Sequence, residues 1–184
     1  MRTLLRRCVA LAALVALIGV GTASASVGSK KISEEKYAKT LCTTLGRLFA
    51  SQKYLVDQYN ALPADEASVL QQQAGALVDS FVRDLEHASA RLRAVHPAVD
   101  GGKKISKSFV GFVDGRRDQV QAALAKLRAA DPQSPAFLVE LRTFETSLTL
   151  LEAGARDPLS SIHNQDLLRA LKKEKSCRGV VTVS

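Results

Sequence analysis

Residues 38–62 read AKTLCTTLGRLFASQKYLVDQYNAL, and this stretch decides the expected fold. Its apolar side chains recur at alternating steps of four and three residues, interrupted once by a polar residue, at Leu41, Leu45, Leu48, Gln52, Leu55, Tyr59 and Leu62. This is the period of an α-helix that packs in a supercoiled bundle. Gln52 is the polar residue in this seam, and Pro63 is predicted to end the helix.

Three further segments repeat this amphipathic pattern after Pro63. They run from residue 64 or 65 to 95, from about 103 to 130 and from 135 to 154, and turns rich in proline and glycine separate them. Because short connections force neighbouring helices to reverse direction, the sequence predicts an all-α, up-down-up-down four-helix bundle. A weaker helical stretch from residue 157 to Cys177 predicts a short fifth helix at the C-terminal end.

The third helix is expected to be the least regular, because Gly111 and Gly115 lie one turn apart in its middle. Each glycine costs about 1 kcal/mol relative to alanine in a helix interior. We expect the two glycines to permit close approach of a neighbouring helix, and a break at Asp114-Gly115 is the alternative. An apolar patch or groove beside this helix is the expected binding surface.

The N-terminal 25 residues have the layout of a secretory signal peptide. Three arginines are followed by an apolar run at residues 8–20 and by the small residues Ala23-Ser24-Ala25. The apolar run is shorter than the roughly 20 residues that span a bilayer. The sequence therefore predicts cleavage near Ala25, a secreted or envelope location, and a single helical-bundle domain at residues 26–184. Arg6-Arg7 leave both general and twin-arginine export open.

Two cysteines, Cys42 and Cys177, remain after removal of the leader, which contains Cys8. In a chain bound for an oxidising compartment, an even pair of cysteines is expected to form a disulfide. The predicted bond ties the fifth helix to helix one.

The positive charge of the chain is modest once the leader is removed. Loss of Arg2, Arg6 and Arg7 lowers the formal net charge from +8 to +5. Tryptophan is absent and aromatic residues are few, so the sequence predicts no nucleic-acid binding and at most peripheral contact with an anionic surface. Three local clusters of basic residues stand out: Lys30 and Lys31; Lys103, Lys104 and Lys107; Lys172, Lys173, Lys175 and Arg178.

No short catalytic or ligand-binding motif is present in the sequence. Asp84 and His87 could share a helix face as metal ligands, but a matching pair on another helix is missing, so neither a metal nor another cofactor is predicted. His96, before a proline in a turn, and His163 are expected to be solvated.

One interhelical polar site is predicted from the heights of residues along neighbouring antiparallel helices. The heights are set by placing residue 62 of helix one opposite residue 67 of helix two, and residue 95 of helix two opposite residue 105 of helix three. Asp84 on helix two then falls at the height of Arg116 on helix three. The pair would fix the register as a partly exposed ion pair, or Arg116 and Arg117 would hold an anionic ligand there.

The chain resembles small secreted or surface helical proteins of actinobacteria that have no assigned function. The resemblance rests on the Ala23-Ser24-Ala25 leader, the Tyr37-Ala38-Lys39-Thr40-Leu41-Cys42 opening of helix one and Leu168-Arg169-Ala170-Leu171. It implies a bundle and a location, and it implies no catalytic residues.

The sequence favours a non-enzymatic envelope or extracellular protein that binds a protein partner, a wall polymer or a small ligand. A secreted all-helical enzyme is the alternative, with Arg83, Arg116, Arg117 and Glu145 as its electrostatic groups. An extracytoplasmic chaperone is a third hypothesis. Nothing in the sequence indicates an oligomeric state.

Overall fold

The computed structural model describes residues 28–63, 66–149, 159 and 162–180. This part of the chain is mostly helical, as predicted. Its helices are α1 (Glu34–Asn60), α2 (Ala67–Arg93), α3 (Gly102–Ala129), α4 (Pro135–Thr149) and α5 (Gln165–Lys173), and a 3-10 turn at Lys175–Cys177 follows α5. Two short strands, β1 (Lys30–Ile32) and β2 (Val95–Pro97), lie before α1 and after α2.

Some predicted features lie outside the described residues. They are the signal peptide at residues 1–25, the start of helix two at 64 or 65, the end of helix four at Gly154 and the start of the fifth stretch at residue 157. Within the described ranges, no helix is both long enough and apolar enough to cross a bilayer.

Consecutive long helices pack against each other, α1 on α2, α2 on α3 and α3 on α4. Near one end of the α2–α3 pair, Ser106 Oγ of α3 donates to the Leu92 carbonyl of α2 at 2.9 Å. Near the other end, Gln71 Nε2 of α2 donates to the Leu127 carbonyl of α3 at 2.7 Å. The start of each helix therefore lies beside the end of the other, and the two are antiparallel.

The seam predicted in residues 38–62 is the side of α1 that is buried. Its leucines from Leu41 to Leu55 are at most 2% exposed. Gln52 is buried with them, and its Nε2 donates to the Leu148 carbonyl of α4 at 2.6 Å. Its Oε1 has no hydrogen-bond partner among the described residues. The polar interruption of the seam thus ties α1 to α4.

The segment at residues 95–97 is a strand, where the sequence predicted a turn. β1 and β2 pair in parallel, with Lys30 opposite Val95 and Ile32 opposite Pro97. Proline can occupy this place because a two-stranded sheet has only edge strands, and an edge strand does not need every N–H for pairing. His96 is buried here, which corrects the expectation of a solvated histidine. Its Nδ1 lies 2.9 Å from Ser29 Oγ.

α3 is continuous through Gly111 and Gly115, so the predicted alternative of two short helices is wrong. The expected close approach of a neighbouring helix at these glycines is also wrong, because a Cβ built on either one would meet nothing within 4 Å. Close approach occurs instead at Gly102, where an added Cβ would lie 2.1 Å from the Pro97 carbonyl oxygen. The first residue of α3 is therefore packed directly on β2.

The predicted covalent link between the C-terminal segment and α1 is present. Cys42 and Cys177 are joined by a disulfide, with their Cα atoms 4.8 Å apart. α5 begins at the cap Asn164, whose side chain accepts from the Leu167 amide, and it packs Leu167 and Leu171 against α1. The last described segment is thus held to α1 by both packing and the disulfide.

Candidate functional site

A groove between α1 and α2 is lined by two sets of side chains with the same helical spacing. Thr44, Arg47, Leu48 and Ser51 come from α1, and Asp84, His87, Ala88 and Arg91 come from α2. Each set follows the i, i+3, i+4, i+7 spacing that places residues on one face of a helix. The two faces meet to form a surface that we call the α1–α2 groove.

A hydrogen bond fixes how the two faces meet. Ser51 Oγ of α1 donates to the Asp84 carboxylate of α2, and this hydrogen bond links the two helices at one end of the groove. In the middle, Leu48 and Ala88 are 2% and 5% exposed and form an apolar floor. The groove therefore has an apolar floor and polar edges, which is the usual composition of a small-ligand site.

The charge of the groove is carried by two arginines. Arg47 and Arg91 are exposed, and among the described residues neither forms an ion pair with a carboxylate. Asp84 accepts from Ser51 and is likewise absent from these ion pairs. The guanidinium groups thus keep their planar forks of N–H donors free for an oxygen anion.

The groove has a volume of about 390 Å³. Ligand pockets in proteins are roughly 300–1,000 Å³, so a small molecule of several heavy atoms fits. The donors of Arg47 and Arg91 suit a carboxylate or phosphate, and Asp84 can accept from a hydroxyl or ammonium group. These residues together can recognise a small anion.

The structure places the three residues of the predicted interhelical site in different surroundings. Asp84 faces α1, where it accepts from Ser51. Arg116 donates to Gln119 at 2.8 Å and lies over the Phe112 ring, 5.8 Å from its centroid. Among the described residues, Asp84 and Arg116 form no ion pair with each other. They are not brought together because they point to different neighbours.

Arg117, the third predicted residue, belongs to a polar cluster between α2 and α3 that is centred on Asp114. The Asp114 carboxylate accepts from Ser89 Oγ at 2.7 Å and from Arg93 at 2.8 Å, and it lies 3.5 Å from the Arg117 guanidinium. Arg117 also bonds to Asp118, which is the main cause of a raised Arg117 pKa. An ion pair that fixes the α2–α3 register therefore exists, but Arg93 and Asp114 form it.

The residues of the enzyme hypothesis are not assembled into one site in the described structure. Glu145 of α4 accepts from the Tyr59 hydroxyl of α1 at 3.0 Å, while Arg116 and Arg117 bond to residues of α3. Arg83 is exposed on α2 and is not among the residues that line the α1–α2 groove. No hydrogen bond or ion pair joins Glu145 to any of these arginines in the described part of the chain.

Two tyrosines are buried at interhelical contacts. The Tyr59 ring packs edge-to-face on Phe144 at a centroid distance of 5.7 Å. Burial, followed by the hydrogen bond to Glu145, raises the pKa of Tyr59. Burial also raises the pKa of Tyr37 to about 12, and the nearby Ser106 hydroxyl opposes this increase. Both side chains stay neutral at physiological pH and act as structural groups.

Asp84 and His87, which were considered as metal ligands, line the same groove. No group of three or more metal-ligating side chains occurs among the described residues. His87 is exposed at the groove edge, and His163, also exposed, lies just before α5.

A second groove runs beside Gly111 of α3, where the sequence predicted an apolar surface. Val110 contributes to it, but Arg93, Lys103 and Lys107 line it as well. The groove left by α3 therefore combines a mostly apolar lining, as expected, with three cationic side chains that were not expected there.

Sequence reasoning missed Ser51 as the partner of Asp84, and it missed Arg47 and Arg91 as residues of the same groove. The signal that could have found them is the equal i, i+3, i+4, i+7 spacing of polar residues around Leu48 and Ala88. Comparison of the chain with protein-family models, with curated proteins and with solved structures finds no match.

Proposed function

We propose that this chain is a secreted or envelope-associated, non-enzymatic helical protein that binds a small anionic ligand in the α1–α2 groove. The observation that carries the proposal is the presence of Arg47 and Arg91 on one groove without an ion-pair partner among the described residues. The ligand would be a carboxylate or phosphate compound that also carries a hydroxyl or ammonium group for Asp84.

The disulfide supports an extracytoplasmic location. Cys42 and Cys177 are the two cysteines that remain if the leader is removed near Ala25. Disulfides persist in oxidising compartments and are rare in reducing ones. A chain that carries a leader-like N-terminus and a disulfide is consistent with export, and its mature part would be a single domain at residues 26–184.

The packing of the helices supports an up-down-up-down bundle. Each long helix contacts the next one in the chain, and the Tyr59–Glu145 and Gln52–Leu148 hydrogen bonds bring α4 back to α1. In such a bundle α1 would lie between α2 and α4, with α5 added on its outer side. The α1–α2 groove would then be an outer surface of the bundle.

The packed core favours binding at the surface of the protein. The large side chains Tyr37, Phe109, Phe137 and Phe144 are at most 2% exposed and fill the interior between the helices. A ligand would therefore be held between exposed polar side chains, with Leu48 and Ala88 beneath it. This geometry supports recognition of a small polar anion over a hydrophobic ligand.

The proposal is tested by titrating the purified protein, without its leader, with succinate, citrate and inorganic phosphate in a calorimeter. At least one of these anions should bind the unmodified protein. An Arg47→Gln/Arg91→Gln variant should lose affinity by at least about 100-fold, because hydrogen bonds to charged groups contribute about 1.5–3 kcal/mol each.

An Arg83→Gln/Arg142→Gln variant is the matched control, since it loses the same charge from two exposed arginines outside the groove. It should bind like the unmodified protein. If none of the three anions binds, or if both variants weaken binding equally, the α1–α2 groove is not the site.

A further inference from the structure

Two lysine clusters that are about 70 residues apart in the sequence meet at one end of the molecule. Lys30 and Lys31 lie on β1, and the Lys30 amide donates to the Ala94 carbonyl at 2.8 Å, which pairs β1 with the end of α2 and with β2. From β2 the chain turns directly into α3, whose first two turns carry Lys103, Lys104 and Lys107. We call these residues, together with Arg93, the basic end.

Three of the six cationic side chains of the basic end line a concave surface. The groove beside Gly111 has a volume of about 400 Å³, and Arg93, Lys103 and Lys107 line it. Lys103 and Lys107 are exposed and four residues apart, so they lie on one face of α3. The absence of a side chain at Gly111 leaves the groove open along the helix, because nothing lies within 4 Å of the place of a Cβ.

The charge of this groove is not neutralised from within. Asp114 is the carboxylate that lines it, and Asp114 is already bound by Arg93 and Ser89. Neither Lys103 nor Lys107 forms an ion pair with a carboxylate of the described residues. Two lysines therefore remain available to an external anion.

Neighbouring acidic residues reduce the positive charge of the basic end only in part. Asp100 is exposed in the turn between β2 and α3. Glu34 and Glu35 follow β1, but they line a separate recess with Arg169 and Lys173 of α5. The six cations of the basic end thus outnumber the two local carboxylates, which are Asp100 and Asp114.

The shape of the surface favours a polymer over a membrane. The large apolar side chains that are most exposed among the described residues belong to the second half of α1 and the first two turns of α4, and they are Tyr54, Leu138 and Val139. The basic end has none of them to insert between lipids. A groove with cations at successive helical turns suits an anion that repeats along a chain.

We propose that the basic end binds a linear polyanion, a polymer with a phosphate or sulfate group on each repeat. Lys103 and Lys107 contact successive anionic groups in the groove, where Arg93 stays paired with Asp114, and Lys30 and Lys31 contact the polymer where it leaves the groove. This site is separate from the α1–α2 groove, whose α2 residues precede Arg93 and which takes a small anion.

The test uses inorganic polyphosphate as the probe and measures its affinity for the leaderless protein over a range of salt concentrations. A Lys103→Gln/Lys107→Gln variant should bind at least about tenfold more weakly. The dependence of log K on log salt should become shallower by about 1.4, since each contact to a single-stranded polyanion contributes roughly 0.7.

A Lys126→Gln/Arg142→Gln variant is the matched control, because it removes two exposed cations from α3 and α4 away from the basic end. It should keep both the affinity and the salt dependence of the unmodified protein. Equal loss in the two variants would show that net charge alone attracts the polymer and would overturn the proposal. Binding to vesicles that contain phosphatidylglycerol, without binding to polyphosphate, would also overturn it and identify a membrane surface instead.

Both proposals can fail independently. Arg47→Gln/Arg91→Gln should leave polyphosphate binding unchanged, whereas Lys103→Gln/Lys107→Gln should leave binding of the small anion unchanged. Inorganic phosphate at the same phosphate concentration should compete weakly with polyphosphate, because a single group engages fewer lysines at once. Competition by inorganic phosphate as strong as that of the polymer would contradict a polymer site.

Discussion

Gly102→Ala should destabilise the protein although it places a better helix former in α3. The added Cβ would lie 2.1 Å from the Pro97 carbonyl oxygen and 3.2 Å from its carbonyl carbon. Both atoms belong to the backbone of β2, so they cannot move aside by rotating a side chain. Relief of the clash requires α3 to move away from β2, or the strand to move away from β1.

The cost of this displacement follows from the contacts that hold the junction. Ser106 donates to the Val95 carbonyl at 2.7 Å and the Gly102 amide donates to the Val99 carbonyl at 3.0 Å, so a shift of about 1 Å would weaken both hydrogen bonds. Overpacking of a buried site costs about 1–3 kcal/mol. We expect Gly102→Ala to lower the free energy of unfolding by about 2 kcal/mol.

The same substitution at Gly111 or Gly115 should have the opposite effect. Both glycines are exposed within α3, and a Cβ at either position meets nothing within 4 Å. Replacement of glycine by alanine in a helix interior gains up to about 1 kcal/mol in helix propensity. The three variants carry the same substitution on the same helix, so comparing them separates the effect of packing from that of helix propensity.

Chemical denaturation followed by circular dichroism measures all three variants. The expected order of stability is Gly111→Ala and Gly115→Ala above the unmodified protein, and Gly102→Ala below it, with unchanged m-values. In thermal unfolding, Gly102→Ala should lower Tm by about 4–8 °C for a domain of this size. A Gly102→Ala variant as stable as the unmodified protein would refute the close packing of α3 on β2, and a destabilised Gly111→Ala variant would show that a neighbour does lie against that glycine.

Two further predictions concern stability. Cys42→Ala/Cys177→Ala should lower the free energy of unfolding by about 5 kcal/mol, because the bond closes a span of 135 residues in the unfolded chain, and a urea midpoint equal to that of the oxidised protein would contradict this. Stability should also fall between pH 10 and about 12, because the unfolded tyrosines release their protons near pH 10 while the raised pKa values of Tyr37 and Tyr59 keep them protonated in the fold. Tyr37→Phe/Tyr59→Phe should reduce this loss by about 1.4 kcal/mol per pH unit for each tyrosine in a urea titration repeated at each pH, and an unchanged alkaline profile would contradict this.

The helices could be predicted because their information is local. The spacing of Leu41, Leu45, Leu48 and Leu55 fixes both the helical period and the buried side of α1. The disulfide could be predicted because few cysteines were available and the expected export to an oxidising compartment favours pairing them. These features require no knowledge of how distant segments meet.

The parallel strands could not be predicted because their pairing is not local. Residues 30–32 and 95–97 are three residues each and are separated by two helices of 27 residues. Neither segment has the alternating pattern of a longer strand, and Pro97 argues against a strand. Their pairing, in which the Lys30 amide donates to the Ala94 carbonyl, requires α1 and α2 together to bring the chain back beside β1.

The α1–α2 groove escaped prediction because the height of a residue along a helix does not fix the direction of its side chain. The predicted levels placed Asp84 near Arg116, and the Ser106–Leu92 and Gln71–Leu127 contacts lie close to that predicted register. The error was in direction, since Asp84 lies on the face of α2 that meets α1. A polar residue beside a seam can turn towards either neighbouring helix, and the neighbour that offers a hydrogen-bond partner decides which. For Asp84 that partner is Ser51, while Arg47 and Arg91 line the same groove and form no ion pair with a carboxylate of the described residues.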